Sequence, residues 1–600
     1  MILSTLDTGI IIFFFVLFSI IGLWVSKNAA KDSISFFLSG RNMPWWLLGV
    51  SMVATTFSAD TPNLVTQLVR DNGIAGNWVW WAFLLTGMLT VFFYARLWRK
   101  SEVLTDLEFY EIRYSGKVAA FLRGFRSLYL GVFFNVIIMA TVCLAAIKIG
   151  GVLFNLEDWE CVLYASLITV FYSVMGGLKG VIITDFFQFI LAMIGAIWAA
   201  IYLTNLPEVG GLSELVAHPE VRQKLNFFPS WNDPELVISL LVIPLTVQWW
   251  SVWYPGAEPG GGGYIAQRML AAKDEKNALI ATLLFNITHY ALRPWPWIII
   301  ALASIIVFPD LESISQQFPN IDPSFIGDDI AYPLMLTKLP SGLLGVVVAS
   351  LISAFMSTIS THLNWGASYF AFDFYKRFIR PESSEKELVW VGRLSIVVLM
   401  VLAGVFSLFL KDALSAFQIL LQIGAGTGLI FILRWFWWRI NAYSEISGMV
   451  ISFIIALWFA FFQEPVFGFT FKSHEQLLLS VGLTTVVWIV ITLLTKPTDT
   501  EVLLSFYKRV QPYGIGWRSF EERYINRQER DTRLDNISLS KNKKRVSTQF
   551  LNLFLSINLV YCFLLGTGML LLCEDGLIFG GGLFLVSAIL AFGLYKNNTN

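Results

Sequence analysis

About fifteen apolar runs, each near twenty residues long, recur along the chain; they centre near residues 17, 55, 88, 140, 167, 192, 244, 295, 357, 399, 425, 453, 486, 561 and 585. A helix rises 1.5 Å per residue, so about twenty apolar residues cover the ~30 Å hydrocarbon core of a bilayer. Hydrophobic residues make up 56% of the 600 and charged residues 14%, more apolar surface than a soluble fold of this length can bury. The expected fold is therefore an all-α polytopic membrane protein with about 15 transmembrane helices. The first run, Ile10 to Val25, has no basic residue before it and no small-residue cleavage pattern after it. It reads as an uncleaved helix.

Loop charge sets the expected orientation. Lys and Arg gather in alternate loops: Lys27, Lys31 and Arg41; Arg96 to Arg126; Lys179; Arg268 to Lys276; Lys376 to Arg380; Arg434 to Arg439; and Lys508 to Arg545. Between them lie acidic or sparse loops, such as Asp310 to Asp329 with five carboxylates and no base. Positive loops stay cytosolic, so a multi-pass protein of the plasma membrane is expected, N-terminus outside and C-terminus in the cytosol. The net charge of zero argues against a nucleic-acid partner. Cys143, Cys161, Cys562 and Cys573 show no metal-ligand spacing, and the four histidines form no zinc motif. The polar stretch 495–549 reads as a solvated cytosolic loop, partly helical, that leans on anionic lipid.

Inside the spans, polar residues mark candidate sites. Residues Ala354 to Asn364 put hydroxyls at Ser357, Thr358, Ser360 and Thr361 in the middle of an apolar segment. Such oxygens are hard ligands that suit Na⁺, although small hydroxyl residues also bond helix to helix. The second span carries Ser58, Asp60 and Pro62 at mid-depth. Pro62 removes a helical hydrogen bond and frees carbonyls, which can line a cavity and coordinate Na⁺; the alternative is a simple kink. Asp185, in Thr184-Asp185-Phe186-Phe187-Gln188, needs a cation or strong donors at that depth, with Thr184 and Gln188 as local alternatives.

The Gly176-Gly-Leu-Lys-Gly-Val181 run with Thr184-Asp-Phe-Phe-Gln188, the Ser39-Gly-Arg-Asn-Met-Pro-Trp-Trp46 lead and the Ala354 to Asn364 run together resemble the sodium:solute symporter family. The resemblance covers about residues 35 to 495. It implies a ten-helix core of two inverted five-helix repeats, placed at 43–205 (helices one to five) and 232–443 (helices six to ten). Around them lie an N-terminal helix and loop (1–42), an external loop (206–231), two peripheral helices (444–494), the charged loop (495–549) and two C-terminal helices (550–600). Interruptions match in the two halves, at Asp60 to Pro62 and at Pro255, Pro259 and Gly260 to Gly263, as expected of a midplane binding site. By resemblance, a first Na⁺ takes the carbonyls of Ala54, Phe57 and Ala354 and the hydroxyls of Ser357 and Thr358. A second would take Asp185, Ser360 and Thr361.

The implied function is sodium-coupled symport of a small organic solute by alternating access, with Na⁺ as coupling ion, no organic cofactor and no obligatory protein partner. Candidate solute contacts are Thr61, Gln67, Gln248, Trp249, Tyr290, Arg293 and Gln422. Tryptophans beside amides favour a sugar, whose apolar face stacks on a ring. Arg293 points instead to a carboxylate-bearing solute such as a sugar acid or an amino acid. The Tyr254 to Tyr264 insertion departs from better-known members at the end of helix six. An integral-membrane enzyme would need a convergent catalytic cluster and a channel a filter or charged ring; neither is seen, so no enzyme is expected.

Overall fold

The computed structural model describes residues 3–26, 33–252, 259–319, 323, 326–410, 421, 423–512, 514–525 and 539–599. The helical segments in chain order are α1 (Thr5–Ser26), α2 (Trp45–Thr56), α3 (Thr61–Asn72), α4 (Ile74–Ser101), α5 (Gly116–Phe154), α6 (Asp158–Thr204), α7 (Pro234–Trp250), α8 (Gly263–Ala271), α9 (Glu275–Val307), α10 (Leu343–Ile379), α11 (Glu385–Ser407), α12 (Gly428–Leu433), α13 (Ala442–Phe461) and α14 (Ser473–Leu494). Two more, α15 (Leu539–Leu572) and α16 (Gly576–Thr599), pair at the C-terminal end. Among the described residues, eleven helices are long and apolar enough to cross a membrane. The interrupted α2/α3 and α7/α8 pairs and the first half of α6 supply further spans, and the one expected near 425 lies partly outside the described residues.

Local chemistry explains the interruptions. α2 ends at Phe57 (φ −84°, ψ 78°), and the next helix starts with Pro62 in its first turn, where a missing N–H costs nothing. The 47-residue α6 breaks at Gly177 (φ 53°, ψ −174°), a backbone state that only glycine adopts without strain. It therefore serves as two spans. α7 ends at Trp250, and the chain resumes as a helix at Gly263 after Gly260 and Gly261 take positive φ.

α10 is the buried centre, packed against α6, α11, α1 and α2, while α2 also packs on α9 and α6. Exposed leucines, isoleucines and phenylalanines cover the outer faces of α1, α6 and α11, as expected for surfaces that meet lipid.

Two expectations change. The stretch after residue 495 is not a solvated loop throughout: helices Thr500–Val510 and Ile515–Tyr524 dock on the core, with Phe506, Val510, Trp517 and Phe520 buried and Trp517 Nε1 donating to the Trp435 carbonyl at 2.8 Å. Each helix carries one apolar face that has to be covered. Glu111 joins this end of the molecule: burial raises its carboxyl, but the Arg377 and Arg123 guanidiniums outweigh that and hold it below the usual carboxylate range. Secondly, Arg268 and Arg434, counted above as loop bases, are 0% and 2% exposed inside the protein.

Candidate functional site

The break between α2 and α3 lies against α10. Thr358 Oγ1 donates to the Thr55 carbonyl at 2.8 Å, and the Thr55 and Thr361 hydroxyls are 3.1 Å apart. Ala54, Phe57, Ala354, Ser357 and Thr358 are all buried, none more than 3% exposed. The Ala54 carbonyl receives the Phe57 N–H at 3.1 Å, which turns the chain out of the helix. Phe57 is held by its ring, tilted on Trp297 at 4.9 Å. A phenylalanine therefore fits where only its backbone would serve an ion.

Beneath this contact sits Asp185 on α6. Its Oδ1 accepts from Ser357 Oγ at 2.6 Å and its Oδ2 from Ser51 Oγ at 2.5 Å. Of the local alternatives, Thr184 donates to the Gly180 carbonyl at 2.9 Å, while both polar atoms of the buried Gln188 lack a hydrogen-bond partner. Thr361 joins the cluster through Thr55, whereas Ser360 Oγ turns back to the Ser357 carbonyl at 3.2 Å. Arg268 on α8 completes it: Nη2 donates to Thr361 Oγ1 at 2.7 Å and lies 3.6 Å from Asp185 Oδ2. Around the Asp185 carboxylate gather five hydroxyls, of Ser51, Thr55, Ser357, Thr358 and Thr361, hard oxygen groups of the type that suit a small cation.

Next to the break is a cavity of about 140 Å³ whose lining includes Thr56, Asp60, Thr61, Trp80, Tyr290 and Arg293. Thr55 and Thr358 also reach it, so the hydroxyl cluster and the cavity share a wall. Trp80 stacks on Tyr290 with ring centres 5.9 Å apart and planes at 24°. The buried Arg293 donates to Thr56 Oγ1 at 3.2 Å and lies over the Trp297 ring at 5.4 Å. Arg293 Nε and Asp60 Oδ1 have no hydrogen-bond partner, a condition that a polar solute would relieve.

Of the expected solute contacts, Thr61, Tyr290 and Arg293 line this cavity. Gln67, Gln248 and Trp249 are absent from its lining. Gln248 Nε2 donates to the Val79 carbonyl at 2.6 Å, the Trp249 carbonyl accepts the Thr86 hydroxyl, and Gln67 Oε1 has no partner. Gln422 lies outside the described residues. Sequence reasoning passes over Trp80, Ser51, Thr55 and Arg268. The hydroxyls on α2 are the available signal, since Ser51 and Thr55 recur at helical spacing.

Two ion pairs tie α3 and α5, which wall the cavity, to residues 328 and 329. Arg70 on α3 holds Asp328 at 2.5 Å, and Lys148 on α5 holds Asp329 at 2.5 Å.

Residues 36–452 match the profile of the sodium:solute symporter family. The chain is 26% identical over 480 residues to a sodium/glucose cotransporter of Vibrio parahaemolyticus, covering 76% of this chain and 86% of that one. It is also 26% identical over 565 residues to sodium/myo-inositol cotransporter 2 of Oryctolagus cuniculus, covering 84% and 79%. Among solved structures, a Na⁺-coupled sialic acid symporter in a substrate-bound outward-open state shares the fold, with a TM-score of 0.64, 22% identity and coverage of 83% of this chain and 99% of that one.

Proposed function

The chain belongs to the sodium:solute symporter family, and on that premise we propose that it imports a sugar or polyol together with Na⁺ by alternating access. One observation carries the proposal: the Thr358 hydroxyl at the Thr55 carbonyl, 2.8 Å apart, joins α10 to the break in α2 where both residues also line the cavity. An ion held by the carbonyls of Ala54, Phe57 and Ala354 and the hydroxyls of Ser357 and Thr358 would tie α2 to α10 and so shape the solute cavity beside it. Asp185, Ser360 and Thr361 are proposed to take a second Na⁺.

The stacked Trp80 and Tyr290 offer an apolar platform for one face of a sugar ring, with Thr61, Asp60 and Arg293 left for its hydroxyls. The sugar and inositol cotransporters among the relatives support this class. A carboxylate-bearing solute such as a sugar acid is the second reading, favoured by the buried Arg293 with its unpartnered Nε.

The energetics suffice. One Na⁺ entering across 100 mV releases about 2.3 kcal/mol and a tenfold gradient adds about 1.4 kcal/mol. Together they support accumulation of a neutral solute by a few hundredfold, and roughly the square of that for two ions.

The membrane orientation proposed is N-terminus outside and C-terminus cytosolic, in the plasma membrane, with the two inverted repeats at 43–205 and 232–443. The test is uptake into proteoliposomes under an inward Na⁺ gradient, with sugars, polyols, sugar acids and amino acids in parallel. Saturable uptake of a sugar or polyol that collapses when K⁺ or choline replaces Na⁺ is the expected result. Uptake indifferent to Na⁺ would refute the proposal, and Na⁺-driven uptake of acids alone would turn it to the second reading.

A further inference from the structure

Arg268 is 0% exposed and sits on α8, the helix that resumes after the interruption following Trp250. Nη1 reaches the Tyr264 carbonyl and Gln267 Oε1 on its own helix, each at 3.5 Å, while Nε and Nη2 point to the candidate ion site. Nε donates to Ser51 Oγ at 3.1 Å, and Nη2 donates to Thr55 Oγ1 at 3.2 Å and to Thr361 Oγ1 at 2.7 Å. The same Nη2 lies 3.6 Å from Asp185 Oδ2. Ser51 links the two charges directly, because its hydroxyl donates to the carboxylate and accepts from the guanidinium.

The lone pairs that a sodium ion would use on Thr361 and Asp185 are therefore already directed at a cation. Two positive charges sharing one carboxylate away from water repel strongly, and an oxygen that accepts a guanidinium N–H has that much less to give an ion. Sodium can bind Asp185 fully only when the guanidinium moves away. Arg268 is carried by α8, whereas Asp185, Ser51 and Thr361 are carried by α6, α2 and α10, so such a movement displaces one half of a broken helix relative to the other three.

We propose that Arg268 is a tethered cation that competes with sodium for Asp185, so that loading the ion loosens α8 from the core and unloading lets it return. This rests on the reading of Asp185 and Thr361 as a sodium site. Arg268 acts here as a positioning residue: it touches neither solute nor ion, and it links ion occupancy to the placement of α8. By linkage, whatever favours the paired state of Arg268 weakens sodium and the reverse.

The test uses the full-length protein in proteoliposomes. Arg268→Gln, which removes the competing charge, is expected to lower the Na⁺ concentration for half-maximal uptake by about tenfold. A residue that merely braces the fold would leave that concentration unchanged or raise it, and either result overturns the proposal. Should Arg268→Gln fail to fold, Ser51→Ala removes the hydroxyl that links carboxylate and guanidinium while leaving every proposed sodium-ligand side chain in place. It should shift the half-maximal concentration the same way by a smaller factor, and no shift or a rise overturns the proposal.

Hydrogen exchange on the unaltered protein gives an independent readout. Na⁺, compared with K⁺, should speed exchange of the 263–271 amides; no change or slower exchange counts against the proposal. Asp185→Asn separates the two levels. If its Na⁺ curve matches that of the unaltered protein, the site reading itself falls. If Asp185→Asn alters the curve while the Arg268 and Ser51 variants do not, the site stands and only the competition is wrong.

Discussion

The Thr358 hydroxyl donates to the Thr55 carbonyl across 2.8 Å, so the buried helix α10 grips the last turn of α2 at the point where that helix breaks. The hydroxyl gives its hydrogen to the carbonyl and keeps its oxygen lone pairs, so in the proposed cycle this contact and the first sodium ion can use the same side chain together to hold the break in place. Thr358→Ala removes the ligand while leaving a residue of good helix propensity. The Na⁺ concentration for half-maximal uptake should rise about tenfold, the equivalent of some 1.4 kcal/mol of ion binding. Membrane insertion should be unchanged. Uptake assayed against a Na⁺ series checks this, and an unaltered curve removes Thr358 from the site.

Trp80 lines the cavity, stacked on Tyr290 and edge-on to His289 at 5.8 Å. If a sugar ring uses this platform, Trp80→Ala should raise the solute KM by about tenfold, in line with the 1–3 kcal/mol typical of buried aromatic contacts. The Na⁺ requirement measured at saturating solute should stay within a factor of about two. A KM that does not move would exclude the aromatic pair as a solute contact.

Much of the site is legible in the sequence, because breaking a helix inside a membrane needs recognisable residues. Pro62 and Asp60 mark one break and Gly260 to Gly263 the other, and the hydroxyls at 357, 358, 360 and 361 fall on α10, whose first part, Leu343 to Ser368, is buried at nearly every residue. Arg268 is misplaced by its sequence context for a physical reason. Loop charge is counted between apolar runs, and an interrupted helix hides where its second half re-enters the protein. Trp80 does not stand out because it is one of 23 tryptophans, most of which have equally good reasons to sit at an interface or in the core. The docked helices after residue 495 escape because their charged faces dominate the composition, while the buried stripe of Leu503, Phe506 and Val510 becomes plain only at helical period.

The Gly424, Gly426 and Gly428 run has a packing role. A side-chain carbon at Gly428 would overlap the Trp250 carbonyl, and one at Gly424 would overlap the Val252 carbonyl. These glycines let the chain before α12 approach the end of α7 backbone to backbone. Gly428→Ala should therefore destabilise the protein by about 2 kcal/mol or more, since the obstructing atom is backbone and cannot rotate away. A thermal-unfolding series in detergent checks this, and a melting temperature equal to that of the unaltered protein would show that α7 and α12 separate easily.

Two neighbouring acids tie the chain just before residue 330 to the bundle, Asp328 on Arg70 of α3 and Asp329 on Lys148 of α5. The Lys148–Asp329 pair is the more enclosed, with side chains 3% and 6% exposed, against 5% and 27% for Arg70 and Asp328. Removing one member of an enclosed pair leaves its partner's charge without compensation, at a cost of about 3 kcal/mol or more. That cost falls on the paired arrangement alone, because a lysine released to solvent regains water. Asp329→Asn should accordingly shift the population towards an arrangement in which this end of the cavity is open to solvent, and Asp328→Asn should do so less, since its carboxylate is already 27% exposed. The measurement is the rate at which a membrane-impermeant thiol reagent modifies a cysteine placed at Thr61 in the cavity wall, on a background with the native cysteines replaced. The expected order is Asp329→Asn fastest, Asp328→Asn intermediate and the parent slowest. Equal rates in all three would mean that these two ion pairs tie down the surface loop without controlling access to the cavity.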